Sequence, residues 1–133
     1  MATRHNISSG APWESVFGYS RAVRIGNQVH VAGTAASGAN GQIVGGDNIE
    51  AQTRFILQKI EAALSEAGAT MRDVVRTRMF VTDISRWESV ARVHGEFFAD
   101  VRPAATMVEV NKLIDPAMLI EIEVDAIILE EAD

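Results

Sequence analysis

The chain has 133 residues, 47% of them apolar and 23% charged, a composition ordinary for one folded domain spanning 1–133 with a single core. It contains no cysteine, which excludes a disulfide framework, a thiolate nucleophile and a zinc site with sulfur ligands. Its net charge of -6, with arginines scattered singly, runs against the basic footprint that a nucleic-acid binder needs.

In chain order, a short strand is expected near residues 4–8. Residues 21–25 and 28–32 are β-rich runs joined by Gly26-Asn27, a pair suited to the primed turns of hairpins. The stretch 33–47, rich in Gly, Ala and Ser, reads as a loop between a strand and a helix. Asp47 and Glu50 have capping-box spacing and open a helix over 48–67. Ile49, Ile56, Ile60, Ala63 and Ala67 recur along one face of it, with Phe55 and Leu64 broadening the stripe. Gly68 follows as the residue that ends it. Residues 74–81 form a strand. Ser85 and Glu88 suggest a second capping box, opening a helix over 86–98, and Pro103 closes that segment. Strands over 104–110 and 119–129 complete the chain, with Asp115-Pro116 in the turn between them. This order predicts an α+β fold, a mixed or antiparallel sheet with two helices on one face.

Alternation assigns the uncovered face. Ile120, Ile122, Val124 and Ala126 point one way and Glu121, Glu123 and Asp125 the other. Arg76 and Arg78 share a face with Phe80. The acidic row either faces these arginines, at roughly 0.2–1 kcal/mol per cross-strand pair, or is a plain solvated surface. A sheet face without helices also favours assembly.

Several short stretches resemble the Rid (reactive intermediate deaminase, YjgF-like) family. They are Gly18-Tyr19-Ser20-Arg21-Ala22-Val23, Val29-His30-Val31-Ala32-Gly33, Val74-Val75-Arg76-Thr77 and Phe80-Val81-Thr82-Asp83. Glu96-Phe97-Phe98, Arg102-Pro103-Ala104, Val108-Glu109-Val110 and Ile120-Glu121-Ile122-Glu123 follow in the family's order. The resemblance implies a chorismate-mutase-like fold and a homotrimer whose sheets form a central barrel, with small-molecule clefts at the subunit boundaries. It also implies hydrolysis of reactive enamines and imines, such as 2-aminoacrylate, to a keto acid and ammonia, without a cofactor.

The resemblance assigns site residues one by one. Tyr19 matches a cleft tyrosine, the alternative being a packing aromatic. Gly33 matches a glycine whose backbone approaches the ligand, the alternative being a strand-end turn. Glu121 matches an acid that positions water and is the candidate catalytic residue; otherwise it is one more member of the acidic row. The arginine that holds a substrate carboxylate is replaced by Ala105, and a frequent cysteine two residues on by Met107, which makes the cleft more apolar. An asparagine of the second helix is Ala91 here. A methyl group cannot neutralise a carboxylate, so the substrate is expected to differ from the usual 2-imino acids. Arg78 or Arg102 could supply another cation, the alternative for Arg78 being an ion pair with the acidic row.

Other chemistries lack their motifs. His5, His30 and His94 have no metal-ligand spacing, and His30 and His94 read as packing residues. There is no nucleophile elbow and no phosphate loop. No stretch approaches the roughly 20 apolar residues that span a bilayer, and residues 1–10 hold no secretory signal, so the expected location is cytoplasmic. Three readings follow: an imine or enamine hydrolase, a non-catalytic metabolite-binding trimer, and, least favoured for an acidic chain, an RNA-cleaving protein.

Overall fold

The computed structural model describes residues 3–129. In chain order these form β1 (Arg4–Ile7), α1 (Trp13–Phe17), β2 (Ala22–Ile25), β3 (Gln28–Thr34), α2 (Ile49–Glu66), β4 (Val74–Val81), α3 (Trp87–Phe98), β5 (Ala104–Glu109) and β6 (Ile120–Ile127). The strands make one mixed sheet in the order β1-β2-β3-β6-β4-β5. Every neighbouring pair is antiparallel except β4 and β5, which run parallel.

The hairpin forms where Gly26-Asn27 predicts it. Ile25 pairs with Gln28, and Gly26 takes a φ of 57°, which glycine adopts without steric cost. α2 starts one residue later than the Asp47–Glu50 spacing suggests. The Asn48 side chain accepts from the Ala51 amide at 3.0 Å and so occupies the capping role, while Asp47 pairs with Arg86 at 2.6 Å. The second expected box fails for a related reason. The Ser85 hydroxyl donates to Asp83 at 2.6 Å, and a 3-10 turn over Ile84–Arg86 precedes α3. A capping box does form at Thr70 and Asp73, where it opens a single 3-10 turn. The short α1 was not foreseen, since five residues carry too little periodicity to register.

α2 and α3 cover one face of the sheet. Ile56, Leu57, Ile60 and Leu64 of α2, with Val90, Val93 and Phe98 of α3, meet Val29, Val31, Val81, Ile120, Ile122 and Val124 in a single buried cluster. Each fully buried apolar side chain contributes about 1.5–3 kcal/mol relative to exposure. Gln52 is fully buried in α2 and bonds to three backbone positions. Its amide donates to the carbonyls of Gly46 at 3.2 Å and Ala117 at 2.9 Å, and its oxygen accepts from the Leu119 amide at 2.9 Å. It ties the end of the 33–47 loop to the entrance of β6.

The opposite face is charged, as alternation in β6 predicts: buried and half-buried residues alternate from Ile120 to Ala126. Arg78 stands opposite Glu123, and its Nη1 lies 2.9 Å from Asp125 and 3.5 Å from Glu123. Arg76 instead donates to Thr106 Oγ1 at 3.2 Å. His30 is not a packing residue. It points from β3 onto this face, with Nδ1 2.7 Å from Asp125. His94 does pack, 4.7 Å between ring centres from Phe98, with Nε2 3.0 Å from the buried Thr77 hydroxyl. No helix among the described residues is long and apolar enough to cross a membrane.

Candidate functional site

The site builds outward from an irregularity in β3. Val31 pairs with Val124 and Thr34 with Ile122, so Ala32 and Gly33 together face one residue of β6. This is a bulge, and it places Gly33 inside the strand rather than in the loop that follows. The Glu121 carboxyl lies against it. A Cβ at residue 33 would sit 3.0 Å from Glu121 Cδ and 3.1 Å from Oε2, so only glycine leaves the carboxyl where it is.

Arg21 enters from the start of β2. Its Nη2 donates to the Gly33 carbonyl at 2.5 Å, while its Nε is buried and meets no acceptor. A buried donor left without a partner costs about 1–3 kcal/mol. Lys59 approaches from α2, donating to the Ser37 carbonyl at 2.9 Å and the Ser37 hydroxyl at 3.1 Å. Neither Arg21 nor Lys59 takes part in an ion pair among the described residues.

The electrostatics follow from this arrangement. Burial pushes the Glu121 carboxyl above its ordinary value; the Arg21 charge opposes the shift and Glu123 adds to it. Burial lowers the pKa of Lys59, and the nearby Arg21 charge lowers it further. Arg21 is also lowered by burial, against the pull of Tyr19, Glu14 and Glu121, but a guanidinium keeps its proton. Glu14 acts on Arg21 as a charge without touching it: burial opposes its ionisation, but the bonds to its Oε2 from the Ser9 hydroxyl at 2.5 Å and the Ser9 amide at 3.1 Å, with Ser8, hold its pKa below the ordinary value.

Tyr19 follows α1 directly. Gly18, at a φ of 76°, ends the helix and turns the chain, leaving the tyrosine 43% exposed. Tyr19 and Arg78 both line a groove of about 660 Å³ on the charged face, which also touches His30, Glu123 and Asp125 but not Glu121 or Gly33. The chemistry-bearing cluster and this groove are neighbours rather than one cavity, and the carboxyl next to Gly33 is the better guide to reactivity. Arg78 is engaged by its two carboxylates. Arg102 is exposed and takes a φ of 59° just before β5. Ala91 is exposed on α3.

Ala105 and Met107 stand apart from the cluster. They pair with Thr77 and Met79, whose side chains face the helices, whereas Val108 pairs with Phe80 and Phe80 with Glu121. Ala105 and Met107 therefore lie on the face opposite Glu121, with β4 between their strand and β6. One chain does not bring the two groups together. Sequence reasoning missed Arg21 and Lys59. Arg21 lies within the quoted Gly-Tyr-Ser-Arg stretch, next to the inward-pointing Ala22, and alternation alone would have turned it toward the Glu121 face. Lys59 sits beside Ile56 and Ile60 at the edge of the buried stripe, where a cation is unusual. No group of three or more His, Asp or Glu residues among the described ones could hold a metal ion.

A two-layer α+β unit, helices behind and charged residues in front of a mixed sheet, is the architecture of the chorismate-mutase-like YjgF proteins. A crystal structure of a YjgF-family member from Mycobacterium tuberculosis superposes with a TM-score of 0.86 at 55% identity, covering 95% of this chain and 100% of that one. A conserved Rid-family protein of unknown function from Yersinia pestis gives 0.82 at 30% identity, covering 95% and 100%. The chain belongs to the Endoribonuclease L-PSP family, the YjgF or Rid proteins, whose family model matches residues 10–128. Among its relatives is the 3-aminoacrylate deaminase RutC of Acinetobacter baylyi, 35% identical over 104 residues, 78% of this chain and 82% of the relative.

Proposed function

We propose that this protein is a hydrolase that deaminates a small reactive enamine or imine in clefts formed between copies of a homotrimer. The observation that carries the reading is the Glu121 carboxyl, half-buried against Gly33 and raised in pKa by that burial. A carboxyl poised closer to neutrality can both give and take a proton. Protonated, it delivers a proton to the enamine carbon and so forms the imine. Ionised, it takes a proton from a water that adds to the imine carbon. The carbinolamine then collapses: Glu121 returns its proton to the nitrogen, the C–N bond breaks to release ammonia, and the hydroxyl proton passes to the Glu121 carboxylate as the carbonyl forms. The imine carbon is already electrophilic, so the remaining work is orientation of substrate and water. Tyr19 offers an exposed ring and hydroxyl close enough to Arg21 for the two to interact.

Support for assembly comes from the division of the site. Ala105 and Met107 can join Glu121, Gly33 and Tyr19 only if a second copy brings its β5 to this chain's cluster. The deaminase activity in the printed name of the RutC relative points the same way. A non-catalytic binding protein is the competing reading, favoured by the alanine at position 105.

The test is ammonia release from 2-iminopropionate and from other imines and enamines generated in situ, for the parent and Glu121→Gln. Activity in the parent that falls at least a hundredfold in Glu121→Gln supports the reading. A parent inert on the whole panel, with Ala105→Arg gaining activity, transfers the reading to the binding protein. Light scattering that gives a stable monomer would remove the shared cleft.

A further inference from the structure

We propose that Arg21, backed by Lys59, is the anion-binding element of the cleft and takes the carboxylate of the ligand in place of the missing side chain at position 105. The inference rests on the hydrolase reading for its substrate class, an enamine or imine that carries a carboxylate, but its test does not require turnover.

Arg21 and Lys59 are two cations set close together and half-buried, and neither forms an ion pair among the described residues. Lys59 is held by neutral oxygens of Ala35 and Ser37. The two carboxyls whose charge acts on Arg21 do so without a hydrogen bond to it: Glu14 accepts from Ser9, and Glu121 lies against Gly33. Neither carboxyl bonds to the guanidinium, so the contact that an incoming carboxylate would make with it is not already taken.

The geometry suits that role. The guanidinium is anchored at one nitrogen, Nη2 on the Gly33 carbonyl, and meets no other acceptor among the described residues, which leaves donors for a second partner. Charge-assisted bonds from a fixed planar fork suit a carboxylate, and anchoring through Gly33 places the fork beside Glu121. A substrate held there by its carboxylate presents the neighbouring carbon to the Glu121 carboxyl. Arg78 could not do this as well, because Asp125 and Glu123 already hold it.

Binding of pyruvate, and of methyl pyruvate as its uncharged comparator, to the full chain tests the proposal by calorimetry. The parent should bind pyruvate at least tenfold more tightly than the ester. Arg21→Gln should erase that preference, Arg21→Lys should keep part of it, and Lys59→Met should weaken it severalfold. Because Arg21→Gln could unfold the β3 bulge, arginine side-chain NMR of the parent supplies a second readout, in which pyruvate should shift the Arg21 Nε signal and leave Arg78 in place. Equal binding of acid and ester by the parent, an unchanged preference in folded Arg21→Gln, or shifts at Arg78 with none at Arg21 would each overturn it. Pyruvate bound through Arg21 with no ammonia release from any imine keeps the anchor and removes the hydrolase. Ammonia release undiminished in Arg21→Gln does the reverse.

Discussion

Gly33→Ala isolates the geometry of the candidate acid from its chemistry. The added methyl carbon would stand 3.0 Å from Glu121 Cδ and 3.1 Å from Oε2. Ordinary carbon contacts are about 3.5–4.0 Å, so the carboxyl must give way by a few tenths of an ångström. Catalytic groups work within about 0.5 Å of their productive place, and a misplacement of about 1 Å costs on the order of a hundredfold in rate. The fold should tolerate the change. Gly33 does not occupy the left-handed region, and alanine regains about 0.5–1 kcal/mol of the backbone freedom that glycine loses in a strand. The variant is therefore expected to remain within about 1 kcal/mol of the parent in urea unfolding. Ammonia release from 2-iminopropionate should fall, by less than the roughly hundredfold that a displacement of about 1 Å would cost. In a Glu121→Ala background, Gly33→Ala should cost nothing further, since the group it displaces is gone. Carbon NMR of the Glu121 carboxyl should follow its pKa back toward 4.5 as the group moves toward solvent. Activity equal to the parent's, or losses that simply add in the double variant, would refute the argument that Gly33 acts by holding Glu121.

Glu121 binds its proton more tightly in the folded chain than in the unfolded one, so its contribution to stability is fully present below pH 4.5 and is lost as pH rises through the folded pKa. Glu121→Gln should match the parent below that range and gain on it above, and a stability difference constant across pH in urea titrations would contradict the assignment. For Asp125, burial raises the pKa but the bonds from His30 and Arg78 outweigh it, so its contribution is present above pH 3.8 and lost as pH falls through the lower folded value; Asp125→Asn should destabilise at pH 7 and converge with the parent in acid. Arg78→Ala should cost about 1 kcal/mol or less, shrinking with added salt, and should leave pyruvate binding intact, whereas lost binding would make Arg78 a ligand contact. Gln52→Ala should lower stability by about 2–4 kcal/mol through its three backbone partners, and hydrogen exchange should rise at Leu119, whose amide it caps; an unchanged Leu119 would contradict that linkage.

The fold was legible where one signal dominated. β4 was placed over the residues it occupies because it alternates over eight residues between clear turns, and the two faces of β6 followed from the same period. Cap positions were less legible. Asp47 and Asn48 are both good capping residues, and the choice fell to Asn48 while Asp47 met Arg86 across 39 positions of sequence. The candidate site was proposed only by resemblance. Gly33 and Glu121 meet at a bulge that no local pattern announces, and the unpartnered buried Nε of Arg21 depends on packing that alternation does not show. His30 misled in the same way, since its partner Asp125 is 95 positions away. Parity placed Ala105 and Met107 together, but not on the face opposite Glu121, which depends on the parallel register of β5 with β4.

β5 also sets a condition on how the protein can be handled. It ends the sheet, runs exposed along nearly its whole length, and from Ala104 to Val108 carries no charge. An edge strand of that kind offers unpaired amides and carbonyls to any extended chain that meets it, and sequences of this composition stack readily into cross-β aggregates. If copies of the chain assemble as proposed and cover β5, dilution or mutation that separates them should lead to aggregation before the core of α2, α3 and β6 melts. Thr106→Lys, on the charged face of that strand, is the change expected to keep a single chain in solution.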